Sequence, residues 1–102
     1  MSHLANLEQV ASMIEGGRHL VPDHMWGGVS RYFLQGIPGG SFMTALLSNN
    51  LMEAFACADD ENAANMRRWC QFLYNHAPVG SYGSPERVGN WLRQFQPEQV
   101  PA

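Results

Sequence analysis

Asp59-Asp60-Glu61-Asn62-Ala63-Ala64-Asn65-Met66-Arg67-Arg68-Trp69-Cys70-Gln71-Phe72-Leu73-Tyr74-Asn75-His76 decides the fold. Three acids open the stretch, as the positive end of a helix macrodipole favours. Ala63, Met66, Cys70 and Leu73 then recur at helical spacing, and Trp69 and Phe72 widen the stripe. So broad an apolar face predicts a central helix, or one that contacts a second subunit. Arg67 and Arg68 fall on its flanks. Ala77-Pro78 stops it, because proline has no N–H to continue the ladder.

Working upstream, Asn50 can cap a short helix from Leu51 to about Ala58, with Leu51, Ala54 and Phe55 inward. Before it, Ser41 is expected to cap a helix from Phe42 to about Ser48 that buries Phe42, Ala45 and Leu46. The loop Gly36-Ile37-Pro38-Gly39-Gly40 leads into that helix. Pro38 keeps Ile37 extended, and Gly39 and Gly40 are free to take positive φ. Gly36 ends a helix that Pro22-Asp23 opens, with Met25, Val29, Tyr32 and Phe33 inward. The pair Gly27-Gly28 inside it has two readings. Another backbone or a ligand comes close there, or the helix kinks or starts late. The first helix runs from a cap at Ser2 to Glu15, buries Leu7, Val10, Ala11 and Ile14, and ends at Gly16-Gly17.

Downstream, Val79-Gly80-Ser81-Tyr82-Gly83 is a second glycine loop. Ser84-Pro85-Glu86 starts a last helix, on which Val88, Trp91, Leu92 and Phe95 form one stripe. Residues 97–102 are a polar tail. No run alternates as a strand does, and no internal repeat occurs. The expectation is an all-α, compact single domain over residues 1–96, of five or six helices, several of them short.

Composition narrows the function. The chain has 102 residues, 45% of them hydrophobic and only 15% charged, against roughly 25% charged in an average domain. A small domain this rich in aromatics and methionine is expected to cover some of its surface in a homo-oligomer or against a ligand. The net charge is −3, so bulk nucleic-acid binding, which needs a basic face, is not expected. All six basic residues are arginine, the side chain suited to bidentate recognition of phosphate or carboxylate. No apolar run approaches the ~18 residues of a membrane span, and the first residues carry no secretory pattern. Cys57 and Cys70 match no metal spacing and read as small buried hydrophobes. A cytoplasmic protein is expected.

Catalytic chemistry finds little support. His19 and His24 are separated by a proline and do not share a helix face, and no HExxH, CxxC or GxSxG occurs. Neither a metal, a cofactor nor an enzymatic activity is expected. Ligand binding is better supported. Two glycine loops each lead into a helix start, where free N–H groups can hold an anion, and aromatic residues accompany both. The competing reading is that both loops are ordinary helix corners with packing aromatics.

Four blocks in order, Gly36-Ile37-Pro38-Gly39-Gly40-Ser41-Phe42 through Asn49-Asn50-Leu51, Ala58-Asp59-Asp60-Glu61-Asn62, Leu73-Tyr74-Asn75-His76-Ala77-Pro78, and Gly83-Ser84-Pro85-Glu86, resemble a family of small proteins of uncharacterised function encoded by tailed bacteriophages and prophages. The resemblance covers about residues 22–95. This chain departs from the pattern at Gly39, where the family has a second proline, and at Asn50, where it has aspartate. The resemblance implies a viral origin rather than a mechanism. Among small phage proteins without catalytic motifs, one class acts as oligomeric sponges that sequester nucleotide second messengers of host immunity.

The resulting expectation is a phage-encoded anti-defence sponge for a small nucleotide-like anion. Gly39, Gly40, Ser41, Phe42 and Ser84 supply the two loop sites. Arg31, Arg67 or Arg68 neutralise phosphate, and Trp26, Tyr32 or Tyr82 stack on a base. The alternative is a module that docks on a host or phage protein through Trp69, Phe72 and Trp91.

Overall fold

The computed structural model describes residues 6–96. Seven α-helices and two 3-10 turns occur among them, and no strand. They are α1 (Leu7–Gly16), 3-10 turns at Arg18–Leu20 and Asp23–Met25, α2 (Trp26–Gln35), α3 (Ser41–Leu47), α4 (Leu51–Cys57), α5 (Asp60–Ala64), α6 (Met66–His76) and α7 (Pro85–Arg93). The all-α single domain is as expected, and the helix count is close to it. Ser2 and the tail from Pro97 lie outside the described residues.

The long stretch is two helices, α5 and α6, joined at Asn65. Asn65 is short and polar, and its side chain donates to the Glu61 carbonyl at 2.7 Å, an alternative to the helical ladder. Across the break the buried Asn62 side chain accepts from Trp69 Nε1 at 3.1 Å. That bond satisfies two groups that would be costly to bury alone.

α6 is the centre of the packing. Met66, Trp69, Phe72 and Leu73 are buried on it. Phe72 meets Phe33 of α2, Trp26 and Trp69 edge-to-face at 6.1, 6.3 and 6.3 Å between ring centres. Such pairs add ~0.5–1.5 kcal/mol each beyond their buried area. Val10 and Ile14 of α1 complete one side. Cys70 is exposed, not buried, because it falls one position outside the inward arc of Met66, Trp69 and Leu73. Gly17, just past α1, sits so close to α6 that a Cβ there would stand 2.6 Å from His76 and 2.7 Å from Phe72.

Several helix ends differ from expectation. The helix opened by Pro22 starts late: a 3-10 turn precedes α2, so Gly27 and Gly28 lie in its first turn. A Cβ on Gly28 would stand 3.4 Å from Met43 Sδ of α3, an ordinary van der Waals contact, so the pair marks the late start and not a close approach of another backbone. Ser41 is the first residue of α3 rather than its cap. Gly40 holds the cap position, and no side chain caps this helix. Gly39 and Gly40 do not take positive φ; Gly36, Gly80 and Gly83 do.

Other ends are as read. Asn50 Oδ1 accepts from Glu53 N–H, Asp59 Oδ1 from Asn62 N–H and Ser84 Oγ from Arg87 N–H. Gly36 closes α2 in the left-handed conformation, and the Gly36 and Ile37 amides return to the Tyr32 and Arg31 carbonyls.

Two outcomes follow from the glycines. Gly36→Ala forces an alanine to φ 68° with its Cβ against the Phe95 side chain, and urea unfolding should register a loss of about 2 kcal/mol or more. Gly40→Ala has open space around it and an ordinary φ, and should change stability by less than about 0.5 kcal/mol.

The Asp59 cap also carries a pH signature. The Asn62 N–H first, and then His24, hold its carboxyl below the ordinary range. Its contribution to stability is complete above the unfolded value near 3.8 and is lost as pH falls through the lower folded value. In an acid titration of Tm, wild type should therefore drop more steeply below that pH than Asp59→Asn. Parallel acid limbs would show that this carboxyl contributes nothing.

Candidate functional site

The eleven residues expected to bind a ligand do not form one site. Two of them are core. Phe42 is buried edge-on against Trp69 at 5.6 Å. Tyr32 is buried against Phe33 at 4.9 Å, and its hydroxyl donates to the Ser81 carbonyl at 2.6 Å. Burial pushes the Tyr32 phenol well above its ordinary pKa, so it stays protonated and keeps donating. Neither ring can stack on a base, because both faces are spent on packing. Trp26 is half-buried against Phe72, and the Arg18 guanidinium lies 5.1 Å from its ring centre. Ser84 is spent on capping α7.

The remaining residues fall into three places, the first of them two adjoining hollows that share Gly39 and Gly40. Arg31, Gly39 and Gly40 share a hollow of about 330 Å³ with His24, Gly28 and Met43. Gly39, Gly40 and Ser41 also edge an open depression that Glu53 shares. A carboxylate on that rim works against an anion at the Ser41 end. Arg68 lines a small polar cleft with His19, Asp23 and Glu61. The third place brings together Arg67 and Tyr82, which are distant in sequence.

That third place is a groove of about 490 Å³ between α4, α6 and the Tyr82-Gly83 loop. Leu46, Leu51, Ala54, Met66 and Leu73 form much of its apolar lining. Asn49, Asn50, Gln71 and Asn75 line it as well, and Arg67 is the one charged residue in its lining among the described residues. Tyr74 on its rim is largely exposed. The loop is held in place by Gly83 N–H, which donates to the Leu47 carbonyl at 2.7 Å, and by the Tyr32–Ser81 bond. An apolar trough of this volume with few converging polar groups is the usual form of a small-ligand site.

Sequence reasoning missed most of this groove. It assigned Leu51 and Phe55 inward, yet both are exposed, and only Ala54 of α4 is buried. No local signal separated them: Leu51, Phe55 and Met52 fall within an arc of about 100°, narrow enough to face a core. Cys70 also lines the groove. Cys57 is half-buried, and its thiol donates to Glu53 at 3.3 Å, the first cause of its raised pKa. Trp69, Phe72 and Trp91, the expected docking surface, are buried core.

His24 joins two elements across the polar side. Its Nε2 stands 2.9 Å from an Asp59 oxygen and its Nδ1 3.2 Å from a Glu61 oxygen. The two carboxylates lie at opposite ring nitrogens, so this trio has no common point for a metal. No helix among the described residues is long and apolar enough to cross a membrane.

Comparison with protein-family models, with curated proteins and with solved structures finds no match to this chain.

The Tyr32 hydroxyl separates core from site. Tyr32→Phe leaves the Ser81 carbonyl unpaired in the interior and should cost about 1–3 kcal/mol in chemical denaturation. Ligand affinity, measured on folded protein, should fall only slightly, because Tyr32 does not line the groove and Gly83 N–H still ties the loop to the Leu47 carbonyl.

Proposed function

We propose that the chain is a non-enzymatic binding protein that holds a small anionic, aromatic ligand in the groove between α4 and α6. A nucleotide signal of host immunity is the ligand class, and sequestration in the bacterial cytoplasm the activity. One observation carries this reading: Arg67 and Tyr82, assigned from sequence to charge and stacking, line the same apolar groove beside four amide side chains. Arg67 makes no ion pair among the described residues, where both ion pairs are at His24. A phosphate would complete its guanidinium, and a base would lie on the apolar floor against Tyr82 or Tyr74. The resemblance to small phage proteins supports the biological setting.

This reading moves the site away from Gly39, Gly40 and Ser41. The hollow at Arg31 offers a guanidinium beside the glycines, but the aromatic rings assigned to it are core or turned elsewhere. The other reading, docking on a host or phage protein, loses Trp69, Phe72 and Trp91 as its surface. What favours it now is the exposed apolar side of α4.

Titration with a panel of cyclic and ADP-ribose-like nucleotides tests the proposal. A member present at about 100 times its Kd should add roughly 2.7 kcal/mol to the stability of the fold. Arg67→Ala should weaken its binding about tenfold or more, through loss of a charge-assisted bond, whereas Arg31→Ala should leave it unchanged. A panel in which no member shifts the melting temperature overturns the reading.

A further inference from the structure

α5 is five residues long and buries one side chain, Asn62. A helix so short has almost no stability of its own and depends on what holds its ends. The Asn62–Trp69 bond ties it to α6. Its first turn is held from outside by His24, which stands in the 3-10 turn before α2, 35 residues from Asp59.

That contact matches one protonation state. His24 Nε2 stands 2.9 Å from Asp59 Oδ2, and Nδ1 stands 3.2 Å from Glu61 Oε1. Ionised carboxylates only accept hydrogen bonds, and a neutral imidazole has one N–H and one bare lone pair. In either tautomer that lone pair faces a carboxylate oxygen. The imidazolium, with a donor at each nitrogen, suits both neighbours. Other charges surround it. Arg31 of α2 lines a hollow with His24, but its guanidinium folds back over Gly27. Asp23, next to His24 in the chain, lines a cleft with Glu61, with His19 of the preceding turn and with Arg68 of α6. The two carboxylates in direct contact act on His24 most strongly, because charge interactions weaken with distance.

We propose that His24 is a proton-operated latch: as imidazolium it pins the first turn of α5 to the turn before α2, and as neutral imidazole it lets go of one carboxylate, so that α5 opens more often. Histidine changes charge between about pH 5 and 8. The latch is therefore set at the acid end of that range and released at the alkaline end. The carboxylates that hold the imidazolium in the folded chain part from it on unfolding, so the stabilisation is lost as pH rises. On the acid side the latch lasts while Asp59 is ionised, and the Asn62 N–H and then His24 keep that carboxyl below its ordinary range. All three side chains are about half exposed, so protons reach them freely and each pair contributes modestly. The latch stands apart from the groove and does not depend on its ligand.

Hydrogen exchange of the full chain at pH 5 and pH 8 tests this. The Ala63 and Asn65 amides donate to the Asp59 and Glu61 carbonyls and report the opening of α5. Their protection factors, from which the intrinsic pH dependence of exchange is removed, should fall about threefold or more from pH 5 to pH 8 in wild type. In His24→Gln, uncharged at both pH values, they should sit at the alkaline wild-type level throughout. His24→Arg, charged at both and able to fork onto two carboxylates, should keep the acid-side protection at pH 8. Melting gives an independent reading: the Tm of wild type should exceed that of His24→Gln by about 2–5 °C more at pH 5 than at pH 8.

Protection of α5 that is the same at both pH values in wild type overturns the proposal. So does a His24→Gln chain that loses protection with pH as wild type does, since another group would then be titrating. A His24→Arg chain no better protected at pH 8 than His24→Gln overturns it as well, because charge at this position would then not be what holds α5.

Discussion

Tyr32 ties the two halves of this small domain together. Its hydroxyl donates to the Ser81 carbonyl at 2.6 Å, and its own carbonyl accepts from Trp91 Nε1 at 3.2 Å. One residue of α2 thus fastens the glycine loop before α7 and α7 itself, although its partners lie 49 and 59 residues away in the chain. Each bond satisfies a buried polar group that would otherwise cost free energy. The loop so held forms a wall of the α4–α6 groove. The core knot and the candidate site are therefore mechanically linked, although Tyr32 never reaches the groove.

The aromatic residues that looked available for a ligand are mostly consumed by this construction. Tyr32, Phe33, Phe42, Trp69, Phe72 and Trp91 are all buried, packed edge-to-face through the middle of the domain. In about a hundred residues built of short helices, few side chains are large enough to span the gaps between them, and aromatics do that best. The surface that remains is unusual for the opposite reason. It carries aliphatic and methionine side chains on α4, the one helix whose packing is almost wholly against its neighbour α3.

Helix starts were the most legible feature of the sequence. Asn50 and Ser84 cap where they were expected to, and Asp59, expected only to open its helix, caps as well, because capping depends on a side chain and amides two or three residues away. Gly36 stops α2 for a similarly local reason. Misreadings occurred where a local rule had a competitor. Ser41 could have capped α3 but entered the helix, with Gly40 at the cap. Asn65 broke the long stretch because its side chain reached the Glu61 carbonyl. Of the candidate site, Arg67 and Tyr82 were legible as residue types suited to an anion and a ring. Their meeting in one groove was not.

The sequence by itself determined the helical class, most of the helix boundaries and the arginine-only basic set. These follow from side-chain spacing, capping and composition within a few residues. Only the tertiary structure decided which apolar side chains are core and which are surface. Short helices carry more apolar residues than one face can bury, and the neighbours that choose the buried face come from distant parts of the chain. The candidate site is governed by that choice: Ala54 turned inward, and Leu51, Met52 and Phe55 were left on an open wall beside Arg67.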